Sequence, residues 1–211
     1  HPRLRELADE IGLILVYPQG VIREDGKAGW TTYSDAYPFY PQPYIDDRGF
    51  VLAFLEYLKR TLSVDSSRLF TAGFSQGARL TEFMMARESD TFRAGAAVAT
   101  SVAVAHASNQ PEDLRWIDTP EAPAPILMIN GGQDTKIPWD GGFNGQGDYY
   151  VSFETSVDFW VEANRCDPTP ETFESDGGDI RARRYIGGAS GAEVVAIGVR
   201  WMNHFWPDLE N

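Results

Sequence analysis

Short apolar runs alternate with amphipathic runs along most of the chain. The apolar runs are typical of buried strands and cover residues 12–17, 68–75, 94–99, 125–130, 180–186 and 193–200. The amphipathic runs keep one apolar face at helical spacing and cover residues 2–10, 46–62, 78–87 and 152–164. Asp46 and Asp47 suit the electrostatics of a helix start, and Ser152 is a good N-cap. The pattern therefore predicts strands and helices in alternation.

This alternation predicts an α/β fold with a mostly parallel central sheet flanked by helices. A length of 211 residues with 43% hydrophobic content is ordinary for one packed domain, so residues 1–211 are interpreted as a single domain. No apolar run approaches the length of a membrane helix, so we expect no membrane partner.

The sequence Gly-Phe-Ser-Gln-Gly at residues 73–77 joins a predicted strand to a predicted helix. The two glycines permit a tight turn that projects the Ser75 hydroxyl out of the backbone. The N-terminus of the following helix favours negative charge developing beside that serine. This context, more than the five residues themselves, predicts that Ser75 is a nucleophile.

A nucleophilic serine of this type needs an acid and then a histidine later in the chain. Of the three histidines, His1 precedes the serine, whereas His204 follows the last predicted strand. Asp134 lies on the loop after the strand predicted at 125–130. Because ligand sites of open α/β sheets lie at the carboxyl ends of strands, we predict a catalytic triad of Ser75, His204 and Asp134.

Other residues compete for two of these roles. His106 is the alternative base, although a lone histidine is more often a satisfied polar group. Asp140 and Asp148 are the alternative acids, and both lie in a glycine-rich segment where turn formation explains them.

The charge of the chain excludes some classes of partner. Acidic residues number 31 against 18 basic ones, giving a net charge of −13. This balance opposes binding to nucleic acid or to an anionic membrane and favours an uncharged substrate. Cys166 is the only cysteine, so no intrachain disulfide can form, and no His/Cys cluster indicates a metal site. We therefore predict neither a metal nor another cofactor.

Residues 18–46 form a long irregular segment in which aromatic residues and prolines are interleaved. A loop of this length in a compact domain is usually functional. Its aromatic side chains could line a site or pack over the core, and the sequence leaves both interpretations open.

Several motifs, taken in order, resemble the α/β-hydrolase family of polyhydroxybutyrate depolymerases and feruloyl or acetylxylan esterases (carbohydrate esterase family one). They are LADEIGLILVYPQ at 7–19, DDRGF at 46–50, GFSQGA at 73–78, GQDTKIPWDGG at 132–142, WVEANRCDP at 160–168, GAEVV at 191–195 and NHFWP at 203–207. The resemblance implies the α/β-hydrolase fold, carboxylic ester hydrolysis and secretion. It also implies that Ser75 is the nucleophile, Asp134 the acid and His204 the base.

The chain departs from that family at both ends. It begins after the family's first strand, whose loop supplies a second oxyanion donor, and it stops before the family's last helix. We therefore expect an α/β-hydrolase fold that lacks the first family strand and the last helix. The resemblance assigns the first oxyanion donor to the backbone N–H of Gln76. No signal peptide is visible at the start. Cys166 matches a family cysteine that is often in a disulfide and has no partner here.

These observations predict a serine carboxylic-ester hydrolase that works through an acyl-enzyme. The expected substrates are small-molecule or polymeric esters: feruloyl or acetyl esters of polysaccharides, or polyhydroxyalkanoate-type polyesters. A non-catalytic relative that binds polymer through an aromatic rim, and a peptidase of the same fold, are the alternatives. Trp206 is the first candidate for an aromatic residue that binds substrate, Trp139 is the second, and the segment 37–44 is also a candidate.

Overall fold

The computed structural model describes residues 2–22, 26, 28–32, 45–106 and 111–207. Its helices are α1 (Pro2–Ile11), α2 (Asp47–Thr61), α3 (Gln76–Arg87) and α4 (Phe153–Asn164). Its strands are β1 (Val21–Ile22), β2 (Ala28–Gly29), β3 (Phe70–Phe74), β4 (Ala94–Val98), β5 (Ala103–Ala105), β6 (Arg115–Trp116), β7 (Ile126–Gly131), β8 (Gly142–Phe143), β9 (Tyr149–Tyr150), β10 (Glu171–Glu174), β11 (Ile180–Tyr185) and β12 (Val194–Val199). Short 3₁₀ turns lie at Pro111–Asp113 and Ala189–Gly191.

The main sheet has six strands in the order β10-β11-β12-β7-β4-β3. Strands β12, β7, β4 and β3 are parallel to one another, and β11 is antiparallel to both of its neighbours. Helix α3 packs on β3 and β4, while α4 packs on β12 and β7. This mostly parallel sheet with flanking helices confirms the predicted α/β-hydrolase fold.

Local sequence signals placed most of the main elements correctly. The Asp46 carboxylate caps α2 by accepting the Gly49 N–H at 2.7 Å, and the Ser152 hydroxyl caps α4 by accepting the Thr155 N–H at 3.0 Å. The apolar runs predicted as strands from residue 68 onward became β3, β4, β7, β11 and β12 within a few residues at each end.

The strand predicted at 12–17 is wrong. Gly12 has φ +69°, and the Leu13 N–H returns to the Ala8 carbonyl at 2.8 Å to close the end of α1. The chain then runs on without pairing, and Ile14 and Tyr17 are 51% and 55% exposed. A strand needs a neighbour to satisfy its N–H and C=O groups. Within the described residues, the sheet ends at β3 and offers this run no partner.

Three antiparallel features were not predicted, and one of them is the pairing of β1 with β2. Short strands form a second sheet in the order β6-β5-β9-β8, and β10 extends the main sheet beyond β11. Runs of two to four residues are too short for periodicity to be read from sequence. The segment 102–124 and the glycine-rich segment that holds Asp140 and Asp148 therefore carry paired strands.

The core lies between the main sheet and helices α3 and α4. Its largest fully buried side chains include Trp160, Phe153, Met84, Met85 and Met128. Helix α3 is buried at every position from Ala78 to Ala86. Helix α3, which follows Ser75, is therefore enclosed by other parts of the protein from Ala78 to Ala86. None of the described helices combines the length and apolar character needed to cross a membrane.

Candidate active site

Ser75 lies at the sharp turn between β3 and α3. It has φ +54° and ψ −117°, a region that costs a non-glycine residue about 1–3 kcal/mol. Gly73 makes the turn feasible, because a Cβ at that position would collide with the Gly77 carbonyl. The Ser75 N–H donates to the Val98 carbonyl at 2.9 Å, which ties the turn to β4. The backbone thus presents the hydroxyl in a fixed position.

His204 bridges the other two predicted triad residues. Its Nε2 lies 2.9 Å from Ser75 Oγ, and its Nδ1 lies 2.8 Å from Asp134 Oδ2. The ring packs against Phe74 with centroids 4.8 Å apart. The Asn203 side chain accepts the His204 N–H at 2.7 Å, which fixes the loop beyond β12. The structure therefore brings together the three residues selected from sequence.

Asp134 is buried, and both of its carboxylate oxygens have partners. Oδ1 accepts the backbone N–H groups of Lys136 and Ile137 at 2.8 and 2.9 Å, which leaves Oδ2 to face His204. The preceding Gly131 has no room for a Cβ, which would collide with the Met202 carbonyl. The backbone before Asp134 (the acid loop, residues 131–137) thus contacts the backbone before His204 (the histidine loop, residues 200–204). Only glycine at position 131 permits this close approach.

A second His–Asp pair lies apart from the serine. Nδ1 of His106, the alternative base, is 3.1 Å from Oδ1 of Asp148, one of the alternative acids. Burial lowers the pKa of His106, and the Asp148 carboxylate opposes that shift. Asp140, the other alternative acid, is exposed in the turn before β8. The histidine that contacts Ser75 Oγ is His204, not His106, and the carboxylate that contacts His204 is Asp134, not Asp140 or Asp148.

Gln76, the predicted oxyanion donor, is the first residue of α3. Its backbone N–H therefore belongs to the N-terminal turn, where helix N–H groups point outward along the axis. Its side chain donates to the Trp30 carbonyl at 3.3 Å, and the Trp30 ring stacks on Phe50 with centroids 6.4 Å apart. Trp30 thus adjoins the residue after the nucleophile. No sequence signal distinguishes Trp30 from the other aromatic residues of segment 18–46.

The predicted substrate-binding residues occupy different places. Trp206 follows His204 by two residues and is partly buried. Trp139 packs on Phe153 with ring centroids 4.5 Å apart and lines a cavity on the β11–β12 side of the acid loop. The candidate segment 37–44 lies outside the described residues. Cys166 is buried and free, as expected, with Sγ 3.6 Å from the Ala192 carbonyl oxygen.

A buried charged group lies on α3 behind the serine. Glu82 is fully buried, and its pKa is raised from 4.5 to about 7 because burial disfavours the charged form more than Arg79 and nearby hydrogen-bond donors favour it. Arg79, also buried, donates to the Ser101 carbonyl at 2.5 Å. The Arg79 hydrogen bond joins α3 to the chain after β4.

Glu82→Gln should remove part of the pH dependence of stability. A carboxyl whose pKa is raised in the folded state favours folding at low pH, and that contribution is lost as pH rises from about 4.5 to about 7. The shift corresponds to roughly 3 kcal/mol. Urea unfolding at pH 4.5 and pH 8 should therefore show a smaller fall in unfolding free energy for Glu82→Gln than for the parent protein. Glu56→Gln, on the exposed face of α2, is the matched control; an identical fall in all three proteins would contradict the prediction.

The chain is similar to several known proteins. A family model described as the prolyl oligopeptidase family, peptidase S9, matches residues 45–125. NocK of Nocardia uniformis subsp. tsuyamanensis, named as a candidate esterase, is 26% identical over 222 residues, covering 98% of this chain and 60% of NocK. This chain therefore spans about 60% of the length of that curated relative.

Two solved structures resemble the chain at low identity. An acetyl xylan esterase from Aspergillus awamori is 14% identical, with 77% of this chain and 63% of that chain covered and a TM-score of 0.49. SOBER1 from Arabidopsis thaliana is 13% identical, with 95% of this chain and 80% of that chain covered and a TM-score of 0.49.

The chain has the α/β-hydrolase fold, and the candidate triad lies at one edge of its main sheet. The serine follows β3, the acid follows β7 and the histidine follows β12, so all three lie at the carboxyl edge of the parallel strands. Within the described part of the chain, no group of three His, Cys, Asp or Glu side chains is arranged to hold a metal ion. A hydroxyl with a hydrogen-bonded imidazole and an oriented carboxylate can perform nucleophilic acyl transfer.

Proposed function

We propose that the protein is a serine carboxylic-ester hydrolase in which Ser75 is the nucleophile, His204 the base and Asp134 the acid. The observation that carries the proposal is the continuous hydrogen-bonded chain from Ser75 Oγ through both ring nitrogens of His204 to Asp134 Oδ2, with contacts of 2.9 and 2.8 Å. Such a chain on a strained strand-to-helix turn is the arrangement that acyl transfer requires.

The proposed reaction has two halves. Ser75 Oγ attacks the ester carbonyl carbon while His204 Nε2 takes the hydroxyl proton, and the oxyanion that forms is stabilised by the Gln76 N–H. The tetrahedral intermediate then breaks its bond to the alcohol oxygen, which leaves with the proton from His204. Water repeats the sequence on the acyl-serine, and the acid product leaves Ser75 as a hydroxyl. Throughout, Asp134 stays ionised and offsets the charge on the imidazolium.

We further propose that the substrates are feruloyl or acetyl esters of polysaccharides, or polyhydroxyalkanoate-type polyesters. The motif resemblance supports these classes, and the name of NocK supports an ester bond in general. The net charge of −13 favours an uncharged substrate. A polymer too large to enter a cell would require the enzyme to act outside it, so secretion is part of the proposal.

Peptide hydrolysis is the second candidate, because the matching family model describes peptidases. Turnover of p-nitrophenyl acetate and of peptide p-nitroanilides, measured side by side, separates the two. Ester turnover with negligible anilide turnover supports the proposal, whereas efficient anilide cleavage would replace it with a peptidase. Absence of turnover on both substrates, with the fold intact by circular dichroism, would favour the non-catalytic alternative.

Trp206→Ala should change substrate preference. If the indole lines the cleft, its loss removes a flat apolar surface that suits a feruloyl group or a polymer chain but not a small acetyl group. We therefore expect kcat/KM for a feruloyl ester to fall about tenfold, as loss of a stacking contact implies, with little change for an acetyl ester. Trp116→Ala, on β6, controls for the loss of a tryptophan. Equal losses on both esters would assign Trp206 to support of the histidine loop.

A further inference from the structure

A cavity of about 350 Å³ lies beside the acid loop, and none of the triad residues lines it. One wall comes from Gly132 on the acid loop and from residues 138–141, which we call the Trp139 turn. The other walls come from the start of α4 and from the adjoining ends of β11 and β12. This volume is within the range of small-molecule sites in proteins. The cavity is therefore large enough to be a second binding site on the domain.

An indole is fixed in the wall of this cavity. Trp139 packs on Phe153, and its six-membered ring lies so close to β12 that a Cβ on Gly198 would be 2.6 Å from Trp139 Cη2. Glycine at position 198 therefore makes room for the indole, which is held in one orientation while remaining partly exposed. A rigid aromatic surface of this kind binds a flat apolar face at low entropic cost.

Charged side chains of both signs complete the lining. Three are cationic and three anionic: Arg181, Arg183, Arg200, Asp140, Glu154 and Asp179. Arg183 forms a two-pronged ion pair with Glu154, with contacts of 2.6 and 2.9 Å. Arg200 pairs with Asp179 at 2.7 Å. These pairs place planar donors and acceptors around the indole.

Two of the charged residues lie outside these pairs. Among the described residues, neither Arg181 nor Asp140 makes an ion pair or a side-chain hydrogen bond, and both are exposed. They can therefore offer a donor and an acceptor to a ligand without first breaking an internal contact.

The chemistry of the lining selects a class of ligand. Equal numbers of positive and negative groups give no net attraction for an anion or a cation, and six charged groups would be desolvated by an apolar chain. A neutral molecule with many hydroxyls and one C–H face satisfies both the indole and the planar polar groups. Sugar rings have this combination. We infer that the cavity formed by the Trp139 turn, β11 and β12 is a binding site for a neutral oligosaccharide.

The cavity lies at a distance from Ser75 that suits a part of a polymeric substrate remote from the ester bond. Strand β11 is four places from β3 in the sheet, which at about 4.8 Å per strand is roughly 19 Å from the strand that carries Ser75. A polymer chain attached to an acyl group at Ser75 is long enough to extend across this distance. The link to ester cleavage rests on the proposed function; the binding of sugar does not.

Direct binding tests the site without catalysis. Ser75→Ala protein, titrated with xylohexaose by isothermal calorimetry, should show saturable binding. Adding Trp139→Ala should weaken the affinity by about tenfold or more, as expected for loss of an aromatic contact. Adding Trp116→Ala instead removes a tryptophan that stacks on Phe159 at a different place and should leave the affinity unchanged. Absence of saturable binding to the Ser75→Ala protein would overturn the inference.

A second variant guards against misfolding, because Trp139 packs against the core. Arg181→Ala combined with Asp140→Ala removes two exposed groups and should weaken xylohexaose binding severalfold. If Trp139→Ala does not fold, this double variant decides alone. An affinity equal to that of the Ser75→Ala parent would then reject the site.

Kinetics separates the site from the proposed function. In otherwise unmodified protein, the Arg181 and Asp140 double variant should raise KM for acetylated xylan with little change in kcat, and should leave p-nitrophenyl acetate turnover within twofold. Sugar binding by a protein that hydrolyses no ester would reject the proposed function and keep the site. Ester hydrolysis without sugar binding would reject the site and keep the proposed function.

Discussion

Ser75→Ala is expected to lower kcat on p-nitrophenyl acetate by at least about 10⁴-fold, because no other group can form the acyl-enzyme. The hydroxyl is the atom that His204 Nε2 contacts at 2.9 Å, and the substitution removes that atom alone. Serine and alanine both carry a Cβ, so the strain of φ +54° is the same in the two proteins. The melting temperature should therefore stay close to that of the parent.

The measurement combines steady-state kinetics with mass spectrometry. An organophosphonate that modifies activated serines should add one adduct to the parent protein, located at Ser75, and none to Ser75→Ala. Ser66→Ala, in an exposed turn before β3, is the matched control and should keep full activity. Turnover by Ser75→Ala at the parental rate, or an adduct at another serine, would show that the nucleophile is assigned wrongly.

Asp134→Asn is expected to lower kcat by about 10⁴-fold at neutral pH, for a reason that follows from the hydrogen bonds around the carboxylate. Oδ1 accepts two backbone N–H groups, from Lys136 and Ile137. In the variant this position must hold the amide oxygen, so the NH₂ group faces His204 Nδ1. The imidazole must then accept at Nδ1 and carry its proton on Nε2. In that tautomer Nε2 cannot take the proton of Ser75.

Asp148→Asn is the matched control, because Asp148 pairs with the other described histidine, His106. We expect it to leave p-nitrophenyl acetate turnover within about threefold, since this pair does not contact Ser75. Both variants should fold, as judged by circular dichroism. If Asp148→Asn were the inactive variant and Asp134→Asn the active one, the second pair would be the catalytic pair and the proposed triad would be rejected.

The sequence predicted that Ser75, Asp134 and His204 lie together because three local signals are unusually clear. Glycines flank Ser75 between a strand pattern and a helix pattern. Asp134 and His204 each follow an apolar run. Parallel strands place their carboxyl ends at one edge, so these three positions were expected to lie together without knowledge of the packing. Helix starts at Asp46 and Ser152 were readable for the same reason, because capping depends on neighbours three residues away.

The sequence did not determine which apolar runs would pair. Residues 12–17 are as apolar as β7, yet they remain exposed and unpaired because hydrogen bonding in a sheet depends on a neighbour that is remote in sequence. The short strands β5, β6, β8 and β9 were missed for the converse reason. Each is too short to show a period, and each exists only through its partner.

By itself, then, the sequence determined the alternation of strands and helices, the serine turn and the order of serine, acid and histidine, all of which depend on residues close together in the chain. Only the tertiary structure decided between the two His–Asp pairs, since both form and just one of them contacts Ser75. It also placed Trp139 over Gly198 among the ion pairs of β11 and α4. That cavity depends on the register of β11 against β12 and on the packing of α4, which join residues tens of positions apart.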